Sequence, residues 1–326
     1  VLNTRDSRTA ESEQGILTQT EERKDLEKPA DFGELYVNYK KYAFSIAYRM
    51  LGTVADAEDV VQDCFADLQH RERSGIDNIK AYIAKSITNR CLNLLNSAHA
   101  RRETYIGEWL PEPVSELYDG PEAAAERKDT LSFAFLVLLE KLSPVERAVF
   151  VLREAYQYDY EAIAGMTGKT ESNCRQIFSR VKRTLQASPA AEALTPAPEQ
   201  ARRGLLQRFT AAFTAHDVSG MLALLTEQPV LVADGGGREV HTILRPMIGR
   251  KGVLALLTSR RVLNRMRSWE AAIESINGEP NLVYRQEGEV KAVLCLALNR
   301  SGEQIQGLYL IMGPEKLGHI LPSPAE

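Results

Sequence analysis

Apolar side chains recur at three- and four-residue steps from Phe32 through Leu35, Tyr36, Tyr39, Tyr42, Ala43, Ile46, Ala47 and Met50. That spacing predicts a helix with one buried stripe, ended by Gly52 as a C-cap. Thr53 suits the N-cap of a second helix, with Asp56 at the third helical position in an approximate capping box. This helix turns Val54, Ala57, Val61, Cys64, Phe65 and Leu68 inward and carries Asp56, Asp59, Asp63 and Asp67 on its other side. A third helix is expected from about Asp77 to Leu95, with Ile79, Ile83, Ile87, Cys91 and Leu94 inward. Three helices with short loops predict a compact all-helical domain over residues 31–98. The 30 residues before it are polar and charged with scattered apolar positions, the pattern of a mobile tail.

The periodicity breaks over residues 99–127. Pro111 and Pro113 stand two apart, which excludes helix and stiffens the chain into an extended form. Trp109 beside them needs a surface to pack on, so this is no ordinary linker. Helical spacing resumes near Lys128 and continues to residue 187. Within it Ser143-Pro144-Val145-Glu146 joins a capping Ser, Pro at the first helical position and Glu at the third. A short helix from Tyr160 is followed by a tight turn at Gly168. Thr170 then caps a last helix whose buried stripe is Cys174, Ile177, Phe178, Val181 and Leu185.

Residues 188–200 are rich in Ala and Pro and read as a linker. Beyond them two helices (about 201–216 and 218–226) precede a short apolar stretch, Val230–Ala233, and then Asp234-Gly235-Gly236-Gly237. A helix near 247–259 is followed by strand-like runs at Asn281–Arg285, Lys291–Leu298 and Gln304–Met312. Helices followed by a strand meander predict an α+β domain over 201–317, with a short tail at 318–326.

Composition bounds these readings. At 326 residues there is room for two or three domains with cores. With 44% hydrophobic and 26% charged residues the chain is an ordinary soluble globular one, not a disordered one. The four cysteines, 64, 91, 174 and 295, have neither metal-ligand spacing nor the look of a disulfide framework, so a reducing cytosol is expected. There is no run of about 18 apolar residues for a membrane span, and the first 31 residues lack the apolar core of a signal peptide.

A net charge of -4 argues by itself against nucleic-acid binding, but the distribution reverses that. Between Lys80 and Arg102 stand five basic residues and no acid, and between Lys169 and Arg183 five more against Glu171 alone. Between Thr53 and Gln69 five acids stand without Lys or Arg. Two basic faces and one acidic face allow DNA and a basic protein partner to be held together. Solvated helix faces would give the same pattern.

The short helix, Gly turn and longer helix at 159–187 have helix-turn-helix form, in which the second helix lies in the major groove. Its outward residues are Ser172, Arg175, Gln176, Ser179, Arg180, Lys182 and Arg183, with Lys169 just before it. Arg175 and Gln176 are types that read base edges, and Arg180, Lys182 and Arg183 are better placed for phosphates. Lys80, Lys85, Asn89, Arg90 and Asn93, with Tyr82 among them, make a surface suited to holding a melted strand, although Tyr82 is equally a core candidate. Signatures of nucleotide-binding loops, zinc proteases and serine hydrolases are missing, the five histidines are scattered, and no cofactor or metal is expected. The glycine run after Asp234 suits a turn or the close approach of another segment equally well.

Tyr42–Asp63 (YAFSIAYRMLGTVADAEDVVQD) resembles region 2 of extracytoplasmic-function sigma factors, and residues 142–183 resemble their region 4. Trp109-Leu110-Pro111-Glu112-Pro113 and Asp234-Gly235-Gly236-Gly237 are similar to two signatures of the subgroup with a fused SnoaL-like domain. The resemblance implies two all-α sigma domains followed by an α+β, cone-shaped SnoaL-like domain. It further implies that Asp56, Asp59, Gln62 and Asp63 dock on the clamp helices of the largest subunit of core RNA polymerase, with the flap as a further contact. Asn78, Lys80, Tyr82, Lys85, Asn89 and Arg90 would face the -10 element, and the helix after Gly168 the -35 element. In the subgroup the fused domain regulates the factor in cis, and the two short signatures are associated with contact between that domain and the sigma core. Gly313-Pro314-Glu315-Lys316-Leu317 departs from the more usual Asn-Pro-Glu/Asp-Lys-Leu.

The expected protein is thus a cytoplasmic, non-enzymatic transcription factor, monomeric when free, with core polymerase and promoter DNA as partners. Two other readings stay open on residues alone. A dimeric ligand-responsive regulator explains 159–187 but leaves the helices of 54–95 without work. A cyclase- or isomerase-type enzyme with a DNA-binding appendage predicts a polar pocket within 201–317, for which no acid/base pair is evident.

Overall fold

The computed structural model describes residues 32–70, 76–102, 105, 107–115, 132–186, 198–236, 243, 245–259 and 264–320. The expected N-terminal tail, most of the Ala/Pro linker and Gly237 lie outside the described residues. The chain divides into two compact units, Val1–Lys41 and Tyr42–Glu326. Of the first, the described part is the start of helix α1 (Phe32–Leu51), where the Lys40 ammonium lies 5.6 Å from the Tyr36 ring centre.

In the second unit α1 ends as its sequence predicts. Gly52 takes φ +75° and its N–H reaches the Tyr48 carbonyl at 2.8 Å. Helix α2 (Val54–His70) buries Val54, Ala57, Val60, Val61, Cys64, Phe65 and Leu68. Helix α3 (Ile79–Arg102) continues past the expected end at Leu95, because no Gly or Pro interrupts it before Arg102. Ile83, Ala84, Ile87, Thr88, Cys91, Leu92 and Leu95 are all buried on it. That is more than one stripe, and the reason is tertiary: α3 packs on α2 and also on α5 (Pro144–Glu154) and α6 (Tyr160–Thr167).

Helix α4 (Phe133–Leu139) begins at Ser132, whose hydroxyl accepts from the Phe135 N–H. At the start of α5 both the backbone N–H and the hydroxyl of Ser143 donate to the Glu146 carboxylate, at 3.1 and 2.7 Å. Asp159 caps α6, Gly168 turns the chain at φ +67°, and the Thr170 hydroxyl accepts from the Asn173 N–H ahead of α7 (Glu171–Gln186). Cys174, Ile177, Val181 and Leu185 form the buried stripe of α7, with Phe178 half-buried and stacked on Phe150.

The last part holds α8 (Glu199–Thr214), α9 (Val218–Leu224), β1 (Leu225–Asp234), β2 (Met247–Ile248), α10 (Gly249–Leu257), β3 (Glu270–Ile276), β4 (Glu279–Gln286), β5 (Glu289–Leu298), β6 (Ile305–Ile311) and α11 (Pro314–Leu317). The six strands lie in the order β2-β1-β6-β5-β4-β3; β3 to β6 form an antiparallel meander, and β1 runs parallel to β6. This is the expected α+β class. It differs where β1 starts at Leu225 rather than Val230, where Met247–Ile248 is a strand rather than the start of a helix, and at β3, which the strand-like runs do not include.

Alternation along the strands separates two cores. Helices α8, α9 and α10 cover one, through Leu205, Phe209, Phe213, Met221, Leu224 and Val253 against Leu294, Leu296, Leu308 and Leu310. The opposite face carries Val232, Val283, Val293, Cys295, Tyr309 and Ile311, and its cover comes from elsewhere: Leu110, Phe133 and Ala134, with Leu317 and Ile320. Phe135, on the other side of α4, meets Phe150 at 5.7 Å. Helix α4 is therefore a wedge with one side on the sheet and the other on α5. Phe133→Ala should lower stability by about 3–5 kcal/mol through lost burial and a residual cavity, measured by urea denaturation.

Candidate functional site

On α2 the side chains of Asp56, Asp59, Gln62 and Asp63 are all exposed. Asp56 accepts from the Thr53 hydroxyl at 2.6 Å, so the anticipated capping pair meets through side chains. Arg90 reaches across from α3 to Asp63, at 3.3 Å, and to Asp67. It thus faces the acidic helix, and both carboxylates remain mostly open to solvent.

Of the other residues assigned to the -10 face, Asn78 caps α3 by accepting from the Ala81 N–H at 2.9 Å. The Lys80 ammonium lies 4.9 Å from the Tyr42 ring centre. Tyr82 is half-buried, while Lys85 and Asn89 are exposed on successive turns.

On α7 the -35 set is brought together. Lys169, Ser172, Arg175, Gln176, Ser179, Arg180, Lys182 and Arg183 are all exposed. Three of the cations have acidic neighbours: Arg175 pairs with Glu171, Arg180 with Glu146 at 2.8 Å, and Lys182 with Glu154 at 3.7 Å. The Arg175 guanidinium also lies 5.0 Å from the Tyr160 ring centre. Exposed pairs of this kind contribute at most about 1 kcal/mol, so they orient these side chains without withholding them from a phosphate.

The Trp-Leu-Pro-Glu-Pro segment is a strap between the α1–α2 turn and the sheet. On the helical side Glu112 makes three contacts: its N–H donates to Gly52 O at 2.8 Å, its carbonyl accepts from Tyr48 Oη at 2.5 Å, and its carboxylate accepts from Val54 N at 2.7 Å. One residue thus holds the end of α1 and the first turn of α2, where a carboxylate is favoured by the helix dipole. Trp109 packs on Gly52 so closely that a Cβ there would fall 2.7 Å from its ring. Pro111 and Pro113 are buried, and Pro113 O meets the His319 ring nitrogen at 2.5 Å.

On the sheet side Leu110 is buried and its N–H donates to Asp234 at 2.8 Å. Asp234 is 1% exposed. It also accepts from Lys316 at 2.7 Å, from Gly236 N at 2.9 Å and from the Tyr105 hydroxyl. Lys316 donates in addition to Leu110 O, and its ammonium stands 4.2 Å from the Trp109 ring centre. Gly236, at φ +84°, lies against Gly313; a Cβ on Gly313 would sit 2.8 Å from Gly236 Cα. The glycine run thus serves a close backbone approach, and Gly313 supplies its other half. Asn277 adds a last tie, bonding Val114 through backbone and side chain at 2.7 and 3.2 Å and Tyr48 Oη at 2.8 Å. Burial pushes the Tyr105 hydroxyl up, and Asp234 adds to this. Burial also pushes the Glu112 carboxyl up, against the opposing pull of the Val54 N–H, His319 and Lys316.

A second junction joins the two helical parts directly. Arg147, 2% exposed, donates to Met50 O at 2.7 Å and to Glu140 at 2.6 Å. Tyr42 Oη and Tyr158 Oη lie 2.5 Å apart, Ser45 Oγ and Tyr156 Oη 2.6 Å apart, and Arg49 donates to Tyr156 Oη. The sequence reading named none of Arg147, Tyr156, Tyr158, Tyr105 or Asn277 as site residues, because each acquires its role from a partner distant along the chain.

Two helical modules with exposed basic faces, an acidic helix on the first of them and a sheet that closes on both describe a sigma-type initiation factor. The sigma-70 region 2 model matches residues 35–102 and the sigma-70 region 4 model residues 132–185. The ECF RNA polymerase sigma factor SigJ of Mycobacterium tuberculosis is 33% identical over 220 residues, covering 67% of this chain and 69% of that protein. The probable ECF sigma factor SigI of the same species is 27% identical over 292 residues, covering 86% and 92%. The crystal structure of M. tuberculosis SigJ superposes with a TM-score of 0.67 at 27% identity, covering 86% of this chain and 96% of that one. The chain belongs to the extracytoplasmic-function sigma factors: it is an initiation factor that binds RNA polymerase and recognises promoters, and not an enzyme. Among the described residues no helix is long and apolar enough to cross a membrane.

Lys316→Met leaves Asp234 buried without its countercharge and should cost about 3–5 kcal/mol in urea denaturation. Glu112 has a raised pKa in the folded chain, so the folded state binds its proton more readily than the unfolded one. Its contribution to stability therefore grows as pH falls through the interval between the two values and is lost as pH rises. Urea denaturation from neutral into mildly acidic buffer should show the parent gaining on Glu112→Gln as pH drops.

Proposed function

We propose that the strap and the tyrosine junction hold regions 2 and 4 closed upon each other, so that the α+β domain regulates the factor in cis. Asp56, Asp59, Gln62 and Asp63 dock on the clamp helices of the largest polymerase subunit, and region 4 adds a contact to the flap. The -10 element meets Lys80, Tyr82, Lys85 and Asn89, with Asn78 and Arg90 shaping that surface from its ends. The -35 element meets α7, with Arg175 and Gln176 on base edges and Lys169, Ser172, Ser179, Arg180, Lys182 and Arg183 towards the backbone. The free factor is a monomer in the cytoplasm, since its regulatory contacts are intramolecular.

One observation carries this reading. The acidic face of α2 is open while α3 lies packed on α5 and α6. Polymerase can therefore be engaged before the two DNA-binding modules separate to reach their two elements. Segments 31–98, 99–127, 128–187 and 201–317 serve as region 2, strap, region 4 and regulatory domain.

The test is run-off transcription and binding with purified core polymerase. Asp59→Lys should weaken core binding by about tenfold, and the loss should deepen at low salt, where like charges repel furthest. Lys316→Met, assayed below its melting temperature, should keep core binding and raise duplex promoter binding. Unchanged promoter binding would remove the regulatory part of the proposal, and unchanged core binding by Asp59→Lys the docking part.

A further inference from the structure

Helices α8, α9 and α10 cover the sheet face opposite the one that meets Leu110, Phe133 and Leu317. Their outer sides therefore turn away from the strap and from α4. The charge on that outer side is of one sign. Between Glu239 and Glu270 the sequence holds seven basic residues and no acid, in a chain whose net charge is -4.

The described acids from α8 to β1 are engaged. Glu199 pairs with Arg203 at 2.9 Å, and Glu227 with Arg250 at 2.5 Å. Asp217 caps α9 by accepting from Gly220 N at 2.9 Å, and Asp234 lies buried with Lys316. Arg267 is held as well, donating to Phe213 O at 3.1 Å and to Leu257 O. Arg208 on α8, Arg245 before β2, Lys251 on α10 and Arg265 after it remain. All four are exposed and, among the described residues, have no carboxylate partner. The buried residues of α10 are Val253, Leu256 and Leu257, which puts Lys251 on the side away from the sheet.

A merely solvated face carries both signs interspersed, since like charges gathered on one surface repel. Four unmatched cations on one layer are suited to an anion supplied from outside. Three of them are arginines, whose planar fork fits phosphate oxygens.

The tether to region 4 indicates which polyanion. Helix α7 ends at Gln186 and α8 begins at Glu199, so twelve residues join them. Fully extended they span about 40 Å, the length of roughly 12 base pairs. Once α7 lies on the -35 element, duplex DNA stands within reach of the basic side at an effective concentration on the order of millimolar. Weak phosphate contacts then suffice. We propose that Arg208, Arg245, Lys251 and Arg265 of the α+β domain bind the phosphate backbone of the duplex flanking the -35 element, as a third DNA contact of this factor. The contact reads no bases. It makes the domain a hold on DNA in the open factor as well as a restraint in the closed one. The proposal rests on the reading that α7 engages the -35 element.

The test measures binding of the full chain to two labelled duplexes. One is the -35 element with minimal flanks; the other adds about 12 base pairs on the side away from the -10 element. The extension should tighten binding by about tenfold or more. It should also steepen the slope of log Kd against log salt by about 3 to 4, at about 0.9 per phosphate contact. Arg208→Gln, Arg245→Gln, Lys251→Gln and Arg265→Gln combined should remove both effects and leave binding of the minimal duplex unchanged. Scrambling the added base pairs should change nothing, and thermal melts check that the fourfold variant is folded. A gain that survives the fourfold variant would place the added contact elsewhere and overturn the proposal, as would no gain in the parent. Charge-dependent binding to phosphatidylglycerol vesicles, without a gain from the extension, would assign the surface to lipid instead. Arg175→Ala tests the underlying reading separately and should weaken both duplexes alike. No loss with Arg175→Ala would overturn the -35 reading, while a gain that still needs the four cations would uphold the third contact.

Discussion

The Asp234–Lys316 pair is the constraint on which the arrangement of this sigma factor depends. A carboxylate with almost no exposure has to be matched by a countercharge and by donors, since an unpaired buried charge costs several kcal/mol. Asp234 finds them in Lys316, the Gly236 and Leu110 N–H groups and the Tyr105 hydroxyl. Two of the four donors belong to the segment that links the helical modules. Satisfying the charge therefore requires that segment to lie on the sheet. Trp109 completes the arrangement by covering the Lys316 ammonium and packing on Gly52.

From there the contacts run without a gap to the helix expected to meet polymerase. Glu112 holds the last turn of α1 and the first of α2, so the strap and the acidic helix share one carboxylate. Region 4 is tied in twice. Helix α4 sits between the sheet and Phe150, and the tyrosines of the α5–α6 connection meet α1. A change at the sheet is thereby able to reach both DNA-binding modules through packed side chains rather than through a flexible linker. The same packing explains why α3 has no single hydrophobic stripe: it is an internal helix of the closed molecule.

Much of this was legible along the chain where the signal is local. The Gly52 and Gly168 turns, the Ser143–Glu146 capping box and the stripe of α7 depend on neighbours within a few residues, and they occur where the pattern places them. Strand β3 was missed because Glu270, Ala271, Ala272 and Glu274 are poor strand formers, and its pairing with β4 overrides that preference. A signal for it was present: Asn277-Gly278, both with positive φ, is a pair characteristic of two-residue hairpins. The early start of β1 had no such mark, since Leu225–Gln228 continues a helical pattern until β6 pairs beside it.

By itself the sequence determined most of the helices, the turns at Gly52 and Gly168 and the capped start at Ser143, the helix-turn-helix, the separation of acidic from basic faces and the α+β class of the last domain. All of these follow from periodicity, capping and composition over short stretches. Only the tertiary structure decided that Lys316 is the buried partner of Asp234, 82 residues away, that Arg90 faces the acidic helix, and that Tyr156 lies on Ser45, 111 residues before it. The physical reason is that burial belongs to the assembled surface. A lysine or a tyrosine has the same propensity on an open face as in a closed one, and which of the two it meets is set by the packing of segments far apart in the chain.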